Sequence, residues 1–166
     1  MIVLVGFMGA GKTTVGGLLA GSLAVPFTDS DHVIEDRAGK PIRQIFADDG
    51  EPAFRQLEAE LLRETFSLPD VVVSTGGGTM VTEANARWIG ANGLAVWLNP
   101  SFSTIVARIG ALGKTDRPLF RDEVQALSLF QQRLPAYRRA DVTVDVAPVE
   151  APEEIAARIA LLIKDR

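Results

Sequence analysis

The sequence has no cysteine, which excludes disulfides, thiolate zinc sites and thiolate nucleophiles. Histidine occurs once, at His32, just after the acids Asp29 and Asp31. A lone histidine so placed is a solvated neighbour, and no catalytic role is assigned to it. No apolar run approaches the roughly 18 residues of a membrane span, and no basic leader precedes a cleavage-like site, so a cytoplasmic protein with no membrane partner is the expectation. Positive charge is in short supply: 17 Lys and Arg stand against 21 Asp and Glu, leaving a net charge of −4 with no basic block. That argues against a nucleic-acid partner, and anions must be bound through local groups of Arg and Lys. The 166 residues fit one domain with a full core, without internal repeat, linker or low-complexity segment.

What is present begins at once. The apolar run Met1-Ile2-Val3-Leu4-Val5 leads into Gly6-Phe7-Met8-Gly9-Ala10-Gly11-Lys12-Thr13-Thr14, a P-loop in its proper context of strand, glycine-rich turn and helix. Glycines let backbone N–H groups converge on phosphate oxygens, and the helix start adds its positive dipole end. The Lys12 ammonium suits the outer phosphates and the Thr13 hydroxyl suits Mg²⁺. This stretch binds a nucleoside triphosphate.

Further apolar runs at Val25–Thr28, Val71–Ser74, Leu94–Leu98 and Val142–Val144 read as strands. Helical spacing runs over Thr13–Leu23, Glu51–Phe66, Thr82–Gly90, Ser101–Ile109 and Asp122–Arg139. A last helix opens on Pro152, Glu153 and Glu154, with Ile155, Ile159, Leu162 and Ile163 on one face. Strands alternating with helices predict an α/β fold, a parallel sheet of about five strands between layers of helices.

Three other groups carry chemistry. Asp29 and Asp31, two residues apart past the second strand, are expected on one side of an extended segment, one near Mg²⁺ and one facing an acceptor hydroxyl. The lesser alternative is a turn and a helix N-cap. Gly76-Gly77-Gly78 ends the strand at Val71–Ser74 and offers N–H donors and close backbone approach, or a mere turn. It stands where P-loop enzymes usually carry a strand-end acid, which leaves the metal to Thr13 and Asp29. Arg55 lies off the apolar stripe Phe54, Leu57, Leu61 and Phe66, with Glu51 and Glu58 in reach. It is either an anion ligand or half of a surface ion pair. Arg117 follows the glycine-bearing stretch Gly110–Asp116, which reads as a mobile lid over the phosphates. Pro135 is expected to kink or end its helix and so re-aim Arg133. Arg138 and Arg139 read as solvated or helix-end contacts.

In order along the whole chain, Gly9-x-Gly11-Lys12-Thr13, Asp29-Ser30-Asp31, Phe54-Arg55-x-x-Glu58, Gly76-Gly77-Gly78, Arg117-Pro118-Leu119 and Arg133-x-Pro135-x-Tyr137 resemble the shikimate kinase family. The resemblance implies a P-loop kinase sandwich with strand order 2-3-1-4-5 and transfer of the ATP γ-phosphate to the shikimate 3-hydroxyl. It also implies a shikimate-binding segment over about residues 31–61, a lid over about 110–122, Mg²⁺ and a monomer. It implies ATP contacts from Gly9, Ala10, Gly11, Lys12, Thr13, Thr14, Arg108 and Arg117, with Lys12, Asp31 and Arg117 catalytic and Thr13 and Asp29 at the metal. Shikimate falls to Asp31, Arg55, Gly76, Gly77 and Arg133, with Glu58 orienting Arg55. The sequence departs from the family at Val146–Glu150, which lacks the basic residue many members carry there, leaving Arg108 and Pro152 against the adenine. A gluconate-type kinase would not explain Arg55 and Arg133 as a carboxylate clamp. A non-catalytic regulator would have lost Lys12, Asp31 or Arg55.

Overall fold

The computed structural model describes residues 1–65, 70–111 and 122–164. Its centre is β1 (Ile2–Val5), whose last three residues are fully buried. Apolar on both faces, this strand suits the middle of a parallel sheet with helices above and below. It pairs in parallel with β3 (Val72–Ser74) on one side and β4 (Leu94–Pro100) on the other, Ile2 lying opposite both Val72 and Leu94. Outside these lie β2 (Phe27–Asp29) and β5 (Val142–Val146), giving the order β2-β3-β1-β4-β5. The edge strand β5 alternates instead, burying Val142, Val144 and Val146 and exposing Thr143 and Asp145.

Successive side chains of β1 and β4 enter different layers. Leu4, Val96 and Leu98 pack with Val15 and Leu19 of α1 (Lys12–Leu23) and Ile155 and Ile159 of α8 (Pro152–Lys164). Val3, Val5 and Trp97 face the other way, toward α5 (Glu83–Asn92), α6 (Phe102–Ala111) and α7 (Glu123–Tyr137), through Ile89, Ile105 and Tyr137. A third cluster, Ile34, Ile45, Phe54 and Leu61, ties together α2 (Ser30–Ala38), α3 (Ile42–Asp48) and α4 (Gly50–Thr65). No helix among the described residues is long and apolar enough to cross a membrane.

The structure corrects several expectations. The stretch after β2 is helical, yet α2 and α3 bury so few residues (Ser30 and Ile34 in one, Ile45 in the other) that neither repeats its period. Asp29 and Asp31 therefore do not share an extended segment: Asp29 ends β2 and Asp31 lies in the first turn of α2. Strand β2 starts at Phe27, after Pro26. Pro135 does not end α7, which runs on to Tyr137. Phe66, the last member of the expected α4 stripe, lies outside the described residues, as does most of the expected lid.

Candidate active site

The strand order reverses around β1, so the loops leaving β1 and β3 open side by side at the carboxyl edge, where open α/β sheets bind ligands. The loop after β1 needs glycine. Gly9 and Gly11 sit at φ of 78° and 99°, a region that side-chain-bearing residues disfavour. Gly11 caps α1 without a side-chain hydrogen bond, so the first-turn N–H groups are left to an anion. Ala10 is buried, and its N–H donates to the Phe7 carbonyl. Lys12 is also buried, and its ammonium donates to the carbonyls of Gly6 at 2.9 Å and Phe7 at 3.0 Å. Thr13 and Thr14 are exposed at the helix start. Arg108 of α6 donates to the Ala10 carbonyl at 3.1 Å, so its guanidinium lies against the loop.

The Thr13 hydroxyl donates to Asp29 Oδ2 at 2.6 Å. The other Asp29 oxygen accepts from the N–H groups of Asp31 and His32, so Asp29 is both the N-cap of α2 and the partner of Thr13. The N-cap reading of this aspartate is thus realised, and its second oxygen stands beside Thr13. His32 is a solvated neighbour, its side chain 73% exposed. Two hard oxygen donors in contact suit a cation that keeps waters and takes its other ligands from phosphates, which is the habit of Mg²⁺. No group of three or more His, Cys, Asp or Glu that could hold a metal occurs among the described residues.

Asp31 Oδ1 is buried with no hydrogen-bond partner. Burial pushes its carboxyl up to about 6; the Lys12 ammonium opposes this, and the carboxylates of Asp29, Glu58 and Glu35 add to it. A carboxyl so placed is a strong acceptor for a hydroxyl proton near neutral pH.

The three glycines after β3 also make room for side chains from other elements. The Gly76 N–H is already taken up by the Ser30 hydroxyl at 3.2 Å. The room left by the missing side chains is filled by the protein's own polar groups. A Cβ on Gly76 would lie 2.7 Å from Glu58 Oε1 and 2.9 Å from Asp31 Oδ1. One on Gly77 would lie 3.3 Å from Arg133 Nη1, and one on Gly78 would lie 2.7 Å from Arg55 Cζ. Consecutive glycines thus bring together Asp31 from α2, Arg133 from α7 and Arg55 from α4. Arg55 and Arg133 also line one cleft of about 620 Å³ with Glu51, Gly78 and Gln132. Their guanidiniums rest over the rings of Phe54 and Phe7, at 5.3 and 5.8 Å.

Arg55 does pair with Glu51 and Glu58, at 2.9 and 2.5 Å; the Glu51 carboxylate is solvated, but the Glu58 side chain is 1% exposed. Sequence reasoning missed that burial, although Glu58 follows Phe54 by four and precedes Leu61 by three, on the apolar stripe itself. It also missed Ser30, and Thr79, whose hydroxyl donates to Glu58. Tyr137 is buried, donates to the Gly77 carbonyl at 2.6 Å, and has its hydroxyl pushed up to about 12 by burial. Arg117 lies outside the described residues.

A family model described as shikimate kinase matches residues 8–164. A shikimate kinase of Trichormus variabilis is 42% identical over 98% of this chain and 90% of its own. Among solved structures, shikimate kinase from Acinetobacter baumannii in complex with shikimate superposes with a TM-score of 0.91 at 36% identity, over 99% of this chain and 92% of the other. Shikimate kinase from Bacteroides thetaiotaomicron gives 0.88 at 34% identity, over 98% and 97%.

Proposed function

The chain belongs to the shikimate kinase family, and from that premise we propose how its residues divide the work of the reaction. The enzyme transfers the γ-phosphate of ATP to the 3-hydroxyl of shikimate, giving ADP and shikimate 3-phosphate in aromatic amino-acid (chorismate) biosynthesis. The observation that carries the division of roles is the run Gly76-Gly77-Gly78, each member lying against a different ligand-binding side chain. Shikimate has a planar carboxylate at one end and vicinal hydroxyls at the other. Arg55 and Arg133 grip the carboxylate, since a guanidinium fork matches it. Asp31 accepts the hydroxyl, and Gly77 offers its N–H to the ring substituents beside the Gly76 position.

Gly9, Ala10, Gly11, Thr14 and the start of α1 cradle the phosphates. Lys12 exchanges its carbonyl partners for phosphate oxygens, and Arg108 turns to the adenine. Thr13 and Asp29 would hold Mg²⁺, which when bound would supply positive charge against the phosphates. The 3-hydroxyl oxygen bonds to the γ-phosphorus while the bond to the bridging oxygen of ADP breaks. Asp31 takes the hydroxyl proton, and Lys12 with Arg117 stabilises the charge on the phosphoryl oxygens. Phosphoryl transfer asks mainly for position and electrostatics, so Asp31 orients as much as it deprotonates.

The substrate segment spans about residues 31–61, a reading supported by its own apolar cluster of Ile34, Ile45, Phe54 and Leu61. The lid over about 110–122 and the roles of Arg117 rest on sequence alone, as does the monomeric state. The test is ADP release with ATP, Mg²⁺ and a panel of polyhydroxy acids. Shikimate should support turnover far better than quinate or gluconate, and equal rates with gluconate would sink the clamp.

A further inference from the structure

Glu58 is 2% exposed, although its partner Arg55 opens on the cleft. Each of its oxygens has one donor: Oε2 accepts from Arg55 Nη1 at 2.5 Å, and Oε1 accepts from the Thr79 hydroxyl at 2.7 Å. Thr79 is equally buried and opens the short 3₁₀ turn Thr79–Val81 directly after the glycines. Its own N–H donates to the Gly76 carbonyl at 3.2 Å, so the hydroxyl is carried by the floor of the site. Meanwhile Glu51, 62% exposed in its side chain and part of the same cleft, accepts from Arg55 Nε and Nη2. Arg55 is therefore held between one buried and one solvated carboxylate, and only the buried one is anchored.

We propose that Thr79 is a positioning residue for carboxylate recognition, its hydroxyl fixing Glu58 and, through Glu58, the plane of the Arg55 guanidinium that receives the substrate carboxylate. The inference rests on the clamp reading of Arg55 given above. A planar fork is directional, so a rotated Glu58 hands Arg55 to Glu51 at the cleft mouth and turns its donors from the substrate. Gly76 takes part by absence, because a Cβ there would lie 2.7 Å from Glu58 Oε1 and 3.5 Å from Thr79 Oγ1.

The experiment is steady-state kinetics of Thr79→Val and Thr79→Ser with shikimate and with its uncharged methyl ester. Thr79→Val keeps the volume and removes the donor. It should raise the shikimate KM about 5–10-fold, the size expected for one lost hydrogen bond in a charged pair. The ATP KM and the kcat/KM for the ester should stay within about twofold, since neither uses the clamp. Thr79→Ser restores the hydroxyl and should behave as the parent. If Thr79→Val proves insoluble, Thr79→Ala carries the same comparison. An unaltered shikimate KM in Thr79→Val, with Arg55→Lys still defective, overturns the role of Thr79 alone. So does an equal loss with shikimate and ester, which marks a general structural effect. An unaltered shikimate KM in Arg55→Lys overturns the clamp and this inference together.

Discussion

Arg55 and Glu58, three residues apart on α4, meet at 2.5 Å with the carboxylate buried and the guanidinium facing the cleft. An ion pair of this kind differs from the exposed pairs elsewhere on the molecule, such as Arg37 with Glu64. Removing the buried partner strands a charge, whereas breaking the exposed pair returns two charges to water. Arg55→Lys keeps the charge and loses the fork. It should reduce kcat/KM for shikimate by about 2–3 kcal/mol with the ATP KM and melting temperature nearly unchanged. Kinetics varying each substrate in turn checks this.

Asp31 carries a pH signature. Its folded-state carboxyl sits near 6 against an ordinary 3.8, so the native protein holds the proton more tightly than the unfolded chain does. The associated stability is complete below the unfolded value and is lost as pH rises through the folded one. Asp31→Asn, always neutral, should therefore melt about 5 °C above the parent at pH 8, and the gap should close toward pH 4. Its kcat should fall at least about 100-fold. Ligand-free melting across pH, beside turnover, separates the two effects.

Asp29 caps α2, and the proposed reaction gives it a part at the metal as well. Asn caps a helix as well as Asp does, so Asp29→Asn should leave the melting temperature within about 2 °C while raising the Mg²⁺ needed for half-maximal rate about tenfold. Asp29→Ala should in addition lose about 1 kcal/mol of stability with the cap. Titrating Mg²⁺ at saturating substrates, beside denaturation, tests both.

Gly78 and Gly90 make a matched pair. A Cβ on Gly78 collides with the Arg55 guanidinium, whereas one on Gly90, in α5, meets nothing within 4 Å. Gly78→Ala should raise the shikimate KM about tenfold or more and spare the ATP KM. Gly90→Ala should leave both alone and stabilise by about 0.5–1 kcal/mol, as alanine does inside a helix. Kinetics and denaturant melts of the two variants decide it.

The layered α/β sheet could be read in advance because β1, β3 and β4 are short apolar runs and α8 buries Ile155 and Ile159 of its expected face, although Leu162 of that face is exposed. The phosphate loop was legible for the same kind of reason, as a local pattern with a local cause. Hidden from the sequence were relations between elements. That the buried Glu58 is met by the hydroxyl of Thr79, twenty-one positions on, depends on how the two segments dock. That Gly76, Gly77 and Gly78 make room for side chains from α2, α7 and α4 depends on where those helices dock. The short helices α2 and α3 escaped because each buries too little for its period to repeat.

The loop after β1 and the glycines after β3 come together main chain to main chain: a Cβ on Gly77 would lie 3.3 Å from the Met8 nitrogen and 3.7 Å from the Gly6 oxygen. Arg133, against Gly77 and over the Phe7 ring, spans the same seam. A side chain added at Gly77 would therefore press on the phosphate loop as well as on the acceptor floor, so it should weaken the grip on both substrates together.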